Sequence, residues 1–306
     1  MSTAETWTVG KLLTWTTDYL KKNGSHSPRL DAEVLLAHAR NCQRIELYTS
    51  FGEEPTDEAK TAFREMVRRR AEGTPVAYLV GYKEFYAASF EVNPDVLIPR
   101  PETEHLIVEA LDRAKQLREE RQASGDQAAT PVQSAPLQVA DVGTGSGIIA
   151  VTVAKHLPQC HITAIDVARA ALEVARRNAE KLEVDPQQIE FLEGDLLSTC
   201  PSERRFDLIL SNPPYVSEAE YEQLDKTVRD YEPKGALVAG SQGSEIIARL
   251  IAAAPDHLAP DGWLLFEFSP MLAEHLPKLV GPQWQPPIVT KDLSGHLRIV
   301  ALRQNS

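Results

Sequence analysis

The stretch "LQVADVGTGSGIIAVTVAKHL", Leu137 to Leu157, decides how the rest of the chain is read. It opens on a short apolar run, turns through Gly143, Gly145 and Gly147, and continues as an apolar segment of helical length. A strand that passes through glycines straight into a helix is the start of a βα unit. The pattern then repeats. "HITAIDV" and "ARAALEVARRNAEKL" read as a strand and a helix, "IEFLEGD" and "FDLILSNPP" as two strands, and "GSEIIARLIAAAPDHL" with "GWLLFEF" as a helix and a strand. A helix through "MLAEHLPKL" precedes two late strands, "PIVTKD" and "LRIVALR". Seven strands alternating with helices predict an α/β fold whose sheet is mainly parallel, with helices on both faces.

Upstream the texture differs. Residues 1–73 read as a small helical bundle. Leu12, Leu13, Tyr19 and Leu20 suit one apolar face, Leu30, Val34, Leu35 and His38 a second, and Ala59, Phe63, Met66 and Val67 a third. Residues 74–101 change to a β pattern around Ala87-Ala88 and are read as a β-hairpin linker. The remainder, 102–306, is the sheet domain. It opens on a helix with Pro101 in its first turn and Glu102 and Glu104 near its positive end. Within it, 118–136 has almost no large apolar residue and is read as a flexible insertion.

Composition narrows the function classes. The chain has 306 residues, 42% of them hydrophobic and 25% charged, as in ordinary globular proteins. Its formal net charge of −12 repels a nucleic-acid backbone, so no direct nucleic-acid partner is expected. The basic cluster Arg68-Arg69-Arg70 reads as a solvated helix end. Cys42, Cys160 and Cys200 lie far apart, which suggests a reducing compartment. The eight histidines show no ligand spacing, and no metal site is expected. The polar N-terminus lacks a signal pattern, and no apolar run reaches the ~18 residues of a membrane span. A cytoplasmic protein with no membrane contact is expected.

The glycine loop implies a particular ligand. Gly143, Thr144, Gly145, Ser146 and Gly147 follow a G-x-G-x-G spacing, not the G-x-G-x-x-G of pyrophosphate binders. Asp141 precedes the first glycine by two residues. A carboxylate there opposes a phosphate and suits a cationic or amino group. Asp166 ends the second strand, 19 residues past Gly147, the spacing of a carboxylate that accepts ribose hydroxyls. Asp195, followed by Leu196, ends the third strand and could accept from an adenine amine. An adenosine with positive charge and no pyrophosphate describes S-adenosylmethionine.

The fourth strand stops at Asn212-Pro213-Pro214-Tyr215. Prolines cannot donate to a ladder, and one would have ended the strand. The flanking asparagine and tyrosine carry polar groups that a plain turn does not require. At the carboxyl end of a parallel sheet, beside the expected cofactor cleft, the tetrapeptide reads as a catalytic corner, with Asn212 expected to touch the cofactor as well.

With "DVGTGSG", "AID", "EGD" and "SNPPY" in this order, the chain resembles the class I S-adenosylmethionine-dependent methyltransferases. "GTPVAYLVGYKEF" and "LIPRPETE" (97–104) narrow the resemblance to the peptide chain release factor glutamine methyltransferases, the PrmC/HemK family. It extends through "DYEPKGAL" (230–237) to "KDLSGHLRIV". The resemblance implies a Rossmann-like methyltransferase sheet and methyl transfer to the glutamine of the Gly-Gly-Gln loop in bacterial release factors. It assigns the two acceptors for the amide to the Asn212 side-chain oxygen and the Pro213 carbonyl. Pro214 and Tyr215 complete the corner, Arg100 and Glu102 are expected at the substrate, and the N-terminal bundle would grip the release factor. The chain departs from the family pattern at 239–243 and 267–271. Competing expectations are glutamine methylation of a ribosomal protein, adenine-N6 methylation of nucleic acid, and a non-catalytic module that kept the fold.

Overall fold

The computed structural model describes residues 6–123, 135–292 and 294–305. These divide into two compact units. One comprises Met1–Tyr82 together with Asp225–Tyr231, the other Lys83–Leu224 together with Glu232–Ser306.

The first unit is helical. Its longer helices are α1 (Val9–Lys22), α2 (Pro28–Ala39) and α3 (Asp57–Ala71). Thr8 and Thr56 accept backbone N–H groups at the starts of α1 and α3, and Pro28 opens α2. Leu13, Leu20, Leu35, Leu36, Phe63 and Val67 fill the core. Helix α2 presents Ala32, Leu35 and Leu36 to it, while Leu30 and His38 are exposed, a correction to the expected face. The buried face also carries Glu33, which accepts from Arg29, Arg44 and Tyr48 and is thereby compensated. The basic cluster is only partly solvated. Arg68 forms exposed pairs with Glu65 and Glu72, but Arg70 meets Asp31 at 2.7 Å with both side chains nearly buried.

The expected β pattern over 74–101 is corrected in two respects. Val76–Val80 is a short helix that ends at Gly81. Only Tyr82–Phe85 and Ala88–Glu91 pair as a hairpin. Tyr86 and Ala87 turn it with φ of 48° and 59°, the left-handed pair that a two-residue hairpin turn demands.

The second unit holds a seven-stranded sheet: β1 (Leu137–Val142), β2 (Cys160–Asp166), β3 (Ile189–Glu193), β4 (Phe206–Ser211), β5 (Leu258–Glu267), β6 (Ile288–Lys291) and β7 (Leu297–Arg303). Their order is β6-β7-β5-β4-β1-β2-β3. The first five run parallel, and β7 pairs antiparallel with both β5 and β6. Alternate residues of each strand face opposite cores. Val139, Leu208 and Leu265 pack with α4 (Glu104–Ala123) and α5 (Ile148–His156), while Ala140, Ile209 and Phe266 pack with α7 (Glu245–Ala253). Helix α6 (Arg169–Lys181) connects β2 to β3. The α/β sheet expected from the sequence is therefore present, with strand order reversing between β1 and β4. Ligands bind at such a reversal, where the loops leave the carboxyl ends in opposite directions.

The reading of 118–136 as a loop needs correction over 118–123, which continue helix α4 to Ala123. Arg, Glu and Gln propagate a helix well without apolar content. The turn is also tied down, through Arg121 to Asp207 and Glu120 to Arg303. Residues 124–134 of that stretch lie outside the described residues.

Candidate active site

The ends of β1, β2 and β4 open onto one cleft of about 240 Å³. Gly143, Thr144, Gly145 and Ser146 contribute from the loop after β1, Asp166 from the end of β2, Asp195 and Leu196 from beyond β3. Asn212 and Pro214 contribute from beyond β4, and Arg100 from the segment before α4. The wall also takes in Asp95, Val96 and Ile246, which no motif marked, and Leu97, Gly235 and Ala236 from the "LIPRPETE" and "DYEPKGAL" stretches.

Three successive left-handed glycines shape the loop, with φ of 76° at Gly143, 55° at Gly145 and 82° at Gly147. Beside Gly145 a Cβ would meet nothing within 4 Å, so the backbone there faces open space. Gly147 is different. A Cβ on it would stand 3.0 Å from the Ala175 Cβ, so only glycine lets α5 start this close to α6. The Gly143 and Thr144 N–H groups both donate to the Ile165 carbonyl, at 2.8 and 2.9 Å, which anchors the loop to β2.

The three acids are differently placed. Asp141 is fully buried beneath the loop and not on the cleft wall. Its Oδ2 accepts from the Thr144 hydroxyl at 2.6 Å and the Ala150 N–H at 3.0 Å, while Oδ1 has no partner. Burial pushes this carboxyl up to about 7, against those two hydrogen bonds and with help from nearby Asp166. Asp166 lies on the wall. Its Oδ2 accepts from Gly145 N–H at 2.8 Å and its Oδ1 from Ala168 N–H at 2.9 Å. Burial raises it, and those amides oppose the rise. Asp195 is at the rim, half exposed and paired with Arg249 at 2.6 Å.

The corner after β4 is tied to the glycine loop. The Ser211 hydroxyl donates to the Val142 carbonyl at 2.6 Å, across the sheet from strand end to strand end. Asn212 Nδ2 donates to the Thr103 hydroxyl at 3.0 Å, and that hydroxyl donates to Glu267 Oε2 at 2.6 Å. Tyr215 donates to Glu267 Oε1 at 3.4 Å and packs on the core beneath α7. Pro213 is buried. Neither Pro213 nor Tyr215 lines the cleft, and Glu102 does not either. Arg100, by contrast, is on the wall and held by buried Glu232, which also accepts from the Ile98 N–H at 3.1 Å.

Several supporting residues escaped the motif reading. Buried Asn178 donates to the Ser146 carbonyl at 2.9 Å and exchanges hydrogen bonds with the Glu91 backbone, clamping loop to hairpin. Thr103 and Glu267 were visible only as neighbours of other signals. A carboxylate closing the apolar strand "GWLLFE" was the available clue for Glu267. Its position repeats that of Asp166, which closes β2. The departures at 239–243 and 267–271 supply no cleft wall, but Glu267 among them reaches Asn212 through Thr103. Among the described residues, no three His, Cys, Asp or Glu side chains form a metal-holding group.

Two family models match the chain: a PrmC N-terminal domain over residues 11–81 and a methyltransferase small domain over residues 129–231. The chain is 48% identical over 301 residues to the release factor glutamine methyltransferase of Rhodopirellula baltica, covering 97% of each. It is 41% identical over 286 residues to that of Koribacter versatilis, covering 94% of this chain and 95% of the relative. The hMettl16 catalytic domain, solved in complex with the MAT2A 3'UTR hairpin 6, shares the fold alone: TM-score 0.54 at 15% identity, over 79% of this chain and 82% of that one.

Proposed function

The chain belongs to the family of release factor glutamine methyltransferases, and on that premise we propose that it transfers a methyl group from S-adenosylmethionine to the side-chain amide nitrogen of a release-factor glutamine, held at the Asn212 corner. The glutamine is that of the Gly-Gly-Gln loop. The observation that carries this reading is the shared wall: the acceptor-bearing Asn212 and the glycine loop line one cleft.

The residues fit the cofactor. The loop backbone faces open space at Gly145, where a ligand approaches without a Cβ in the way. Asp166 has spare lone pairs for ribose hydroxyls, and Asp195 and Leu196 line the same cleft, where the adenine is expected. When bound, S-adenosylmethionine supplies an electrophilic methyl group on a positively charged sulfur.

The chain's own task is alignment. An amide nitrogen is a poor nucleophile because its lone pair is delocalised into the carbonyl. Asn212 Oδ1 accepts one of its N–H groups, and the second acceptor is the one the family resemblance assigns, the carbonyl of buried Pro213, between the wall residues Asn212 and Pro214. With both held, the lone pair is aimed at the transferring carbon without prior deprotonation; as the N–C bond forms the bond from that carbon to sulfur breaks, and the nitrogen gives up one of its two protons to solvent. The prolines fix the backbone that carries this carbonyl. Gains from such positioning are large and are lost with displacements of about 1 Å. Tyr215 braces the corner from behind, through its packing and its bond to Glu267. Arg100 offers a fixed cation to the incoming loop, with Glu102 nearby.

The N-terminal unit serves as a second grip on the release factor. Its match to the PrmC N-terminal domain supports this. The net charge of −12 favours a protein over a nucleic-acid substrate. Among the described residues, no helix is long and apolar enough to cross a membrane, and we read the enzyme as cytoplasmic.

The deciding experiment is mass spectrometry of a purified release factor after incubation with the enzyme and S-adenosylmethionine. One added methyl group on the glutamine is expected. A glutamine left unmodified, with methylation appearing instead on ribosomal protein or nucleic acid, would overturn the reading.

A further inference from the structure

We infer that Thr103 and Glu267 are positioning residues that decide which end of the Asn212 carboxamide faces the substrate. This rests on the reading of Asn212 as the acceptor for the glutamine amide and deepens it. A carboxamide has two ends of nearly equal size, one oxygen and one NH₂. Only the oxygen can accept an N–H from a substrate amide. Something must therefore prevent the side chain from turning over.

A threonine hydroxyl carries a single proton. Thr103 Oγ1 is 2.6 Å from Glu267 Oε2, and an ionised carboxylate can only accept. The hydroxyl proton is thus committed to Glu267. What Thr103 turns toward Asn212 is lone pairs, and the contact at 3.0 Å requires Asn212 to donate through Nδ2. Its Oδ1 then becomes the free end. The reversed carboxamide would set oxygen against oxygen with no proton between them. Thr103 is fully buried and Glu267 is 2% exposed, so bulk water offers no substitute donor. Tyr215 also donates to the other Glu267 oxygen, which keeps the carboxylate an acceptor at both ends.

The arrangement holds while Glu267 is ionised. Burial raises its carboxyl, and neighbouring Glu102 adds to the rise. Arg298 and the Thr103 and Tyr215 hydroxyls oppose it. A proton on Glu267 would let the Thr103 hydroxyl rotate toward Asn212 and admit the reversed carboxamide. Methyl transfer should therefore decline on the acid side.

The test uses the full-length enzyme, S-adenosylmethionine and a purified release factor. Thr103→Val keeps the side chain's shape and removes the hydroxyl. It should lower kcat by up to about a hundredfold, the cost of misplacing an aligned group, while leaving the dissociation constant for S-adenosylmethionine within about twofold of wild type. Thr103→Ser should restore most of the rate. In an Asn212→Ala background, Thr103→Val should cost nothing further, because it acts only through Asn212. Glu267→Gln can donate as well as accept, so its rate should drop several-fold and its pH profile should lose the acid limb. An unchanged kcat for Thr103→Val, or an equal loss in the Asn212→Ala background, refutes the inference and leaves the function standing. A fully active Asn212→Ala variant refutes the site reading itself.

Discussion

The loop after β1 and the corner after β4 face the same cleft and are built by opposite means. The loop is local. Its glycines, its anchor at Ile165 and its braces Asp141 and Asp166 all fall between residues 141 and 166. It presents mostly backbone. The corner presents a side chain, and that side chain leans on Thr103, 109 residues away in sequence, and through it on Glu267, 164 residues beyond Thr103. A ligand whose shape never varies can be met by fixed backbone. An amide that must be held by one end of another amide requires a device that tells oxygen from nitrogen, and only hydrogen bonds of defined direction can do that.

The largest expected effect separates the two regions most sharply. Asn212→Ala should lower kcat by about 10²–10³-fold, comparable to removing one aligned group from an oxyanion site, with cofactor affinity preserved. Calorimetric titration checks the second half. If affinity falls in parallel with rate, the loop and the corner are not separable.

Next in size is the pH dependence of the buried loop brace. Asp141 sits at about 7 in the folded protein against an ordinary 3.8. The folded state then binds the proton more tightly than the unfolded chain does. Its contribution to stability is complete below the ordinary range and is lost as pH rises through 7. Asp141→Asn should remove a fall on the order of 3 kcal/mol from the stability profile between pH 5 and 8. Urea unfolding at several pH values reads this directly. Parallel profiles for the two proteins would place the source elsewhere.

Gly147→Ala should destabilise by about 1–3 kcal/mol, the range for a non-glycine residue forced into a left-handed conformation, with the Ala175 contact adding to it. A variant of wild-type stability would mean that α5 can shift away from α6 at no cost. The smallest effect is expected at the rim. Arg249→Ala breaks the pair with Asp195, whose side chains are 52% and 54% exposed. Exposed pairs contribute about 1 kcal/mol or less. The thermal midpoint should barely move, and cofactor affinity should hold or improve slightly as Asp195 is released.

The same contrast explains what the amino-acid sequence disclosed. Seven strands, their parallel run and the glycine loop were legible because each is written in neighbouring residues. Asp141 was identified as a loop acid, but its burial beneath the wall was not, since period and spacing say nothing of depth. Asn212 stood out because two prolines follow it. The residues that orient it did not, because a threonine in a helix-opening turn and a glutamate ending a strand have no local anomaly. Residues 118–123 were misread through composition: lacking apolar side chains, they continue a helix whose anchors, Asp207 and Arg303, lie far along the chain.

Seven residues, Asp225–Tyr231, are grouped with the N-terminal unit although they lie deep inside the sequence of the other. A homologous swap of Met1–Tyr82 alone would therefore import a mismatched fragment, and a chimera that respects the units needs two inserts. Recombination at a single crossover cannot exchange the helical unit intact, so its front segment and the central stretch must drift together.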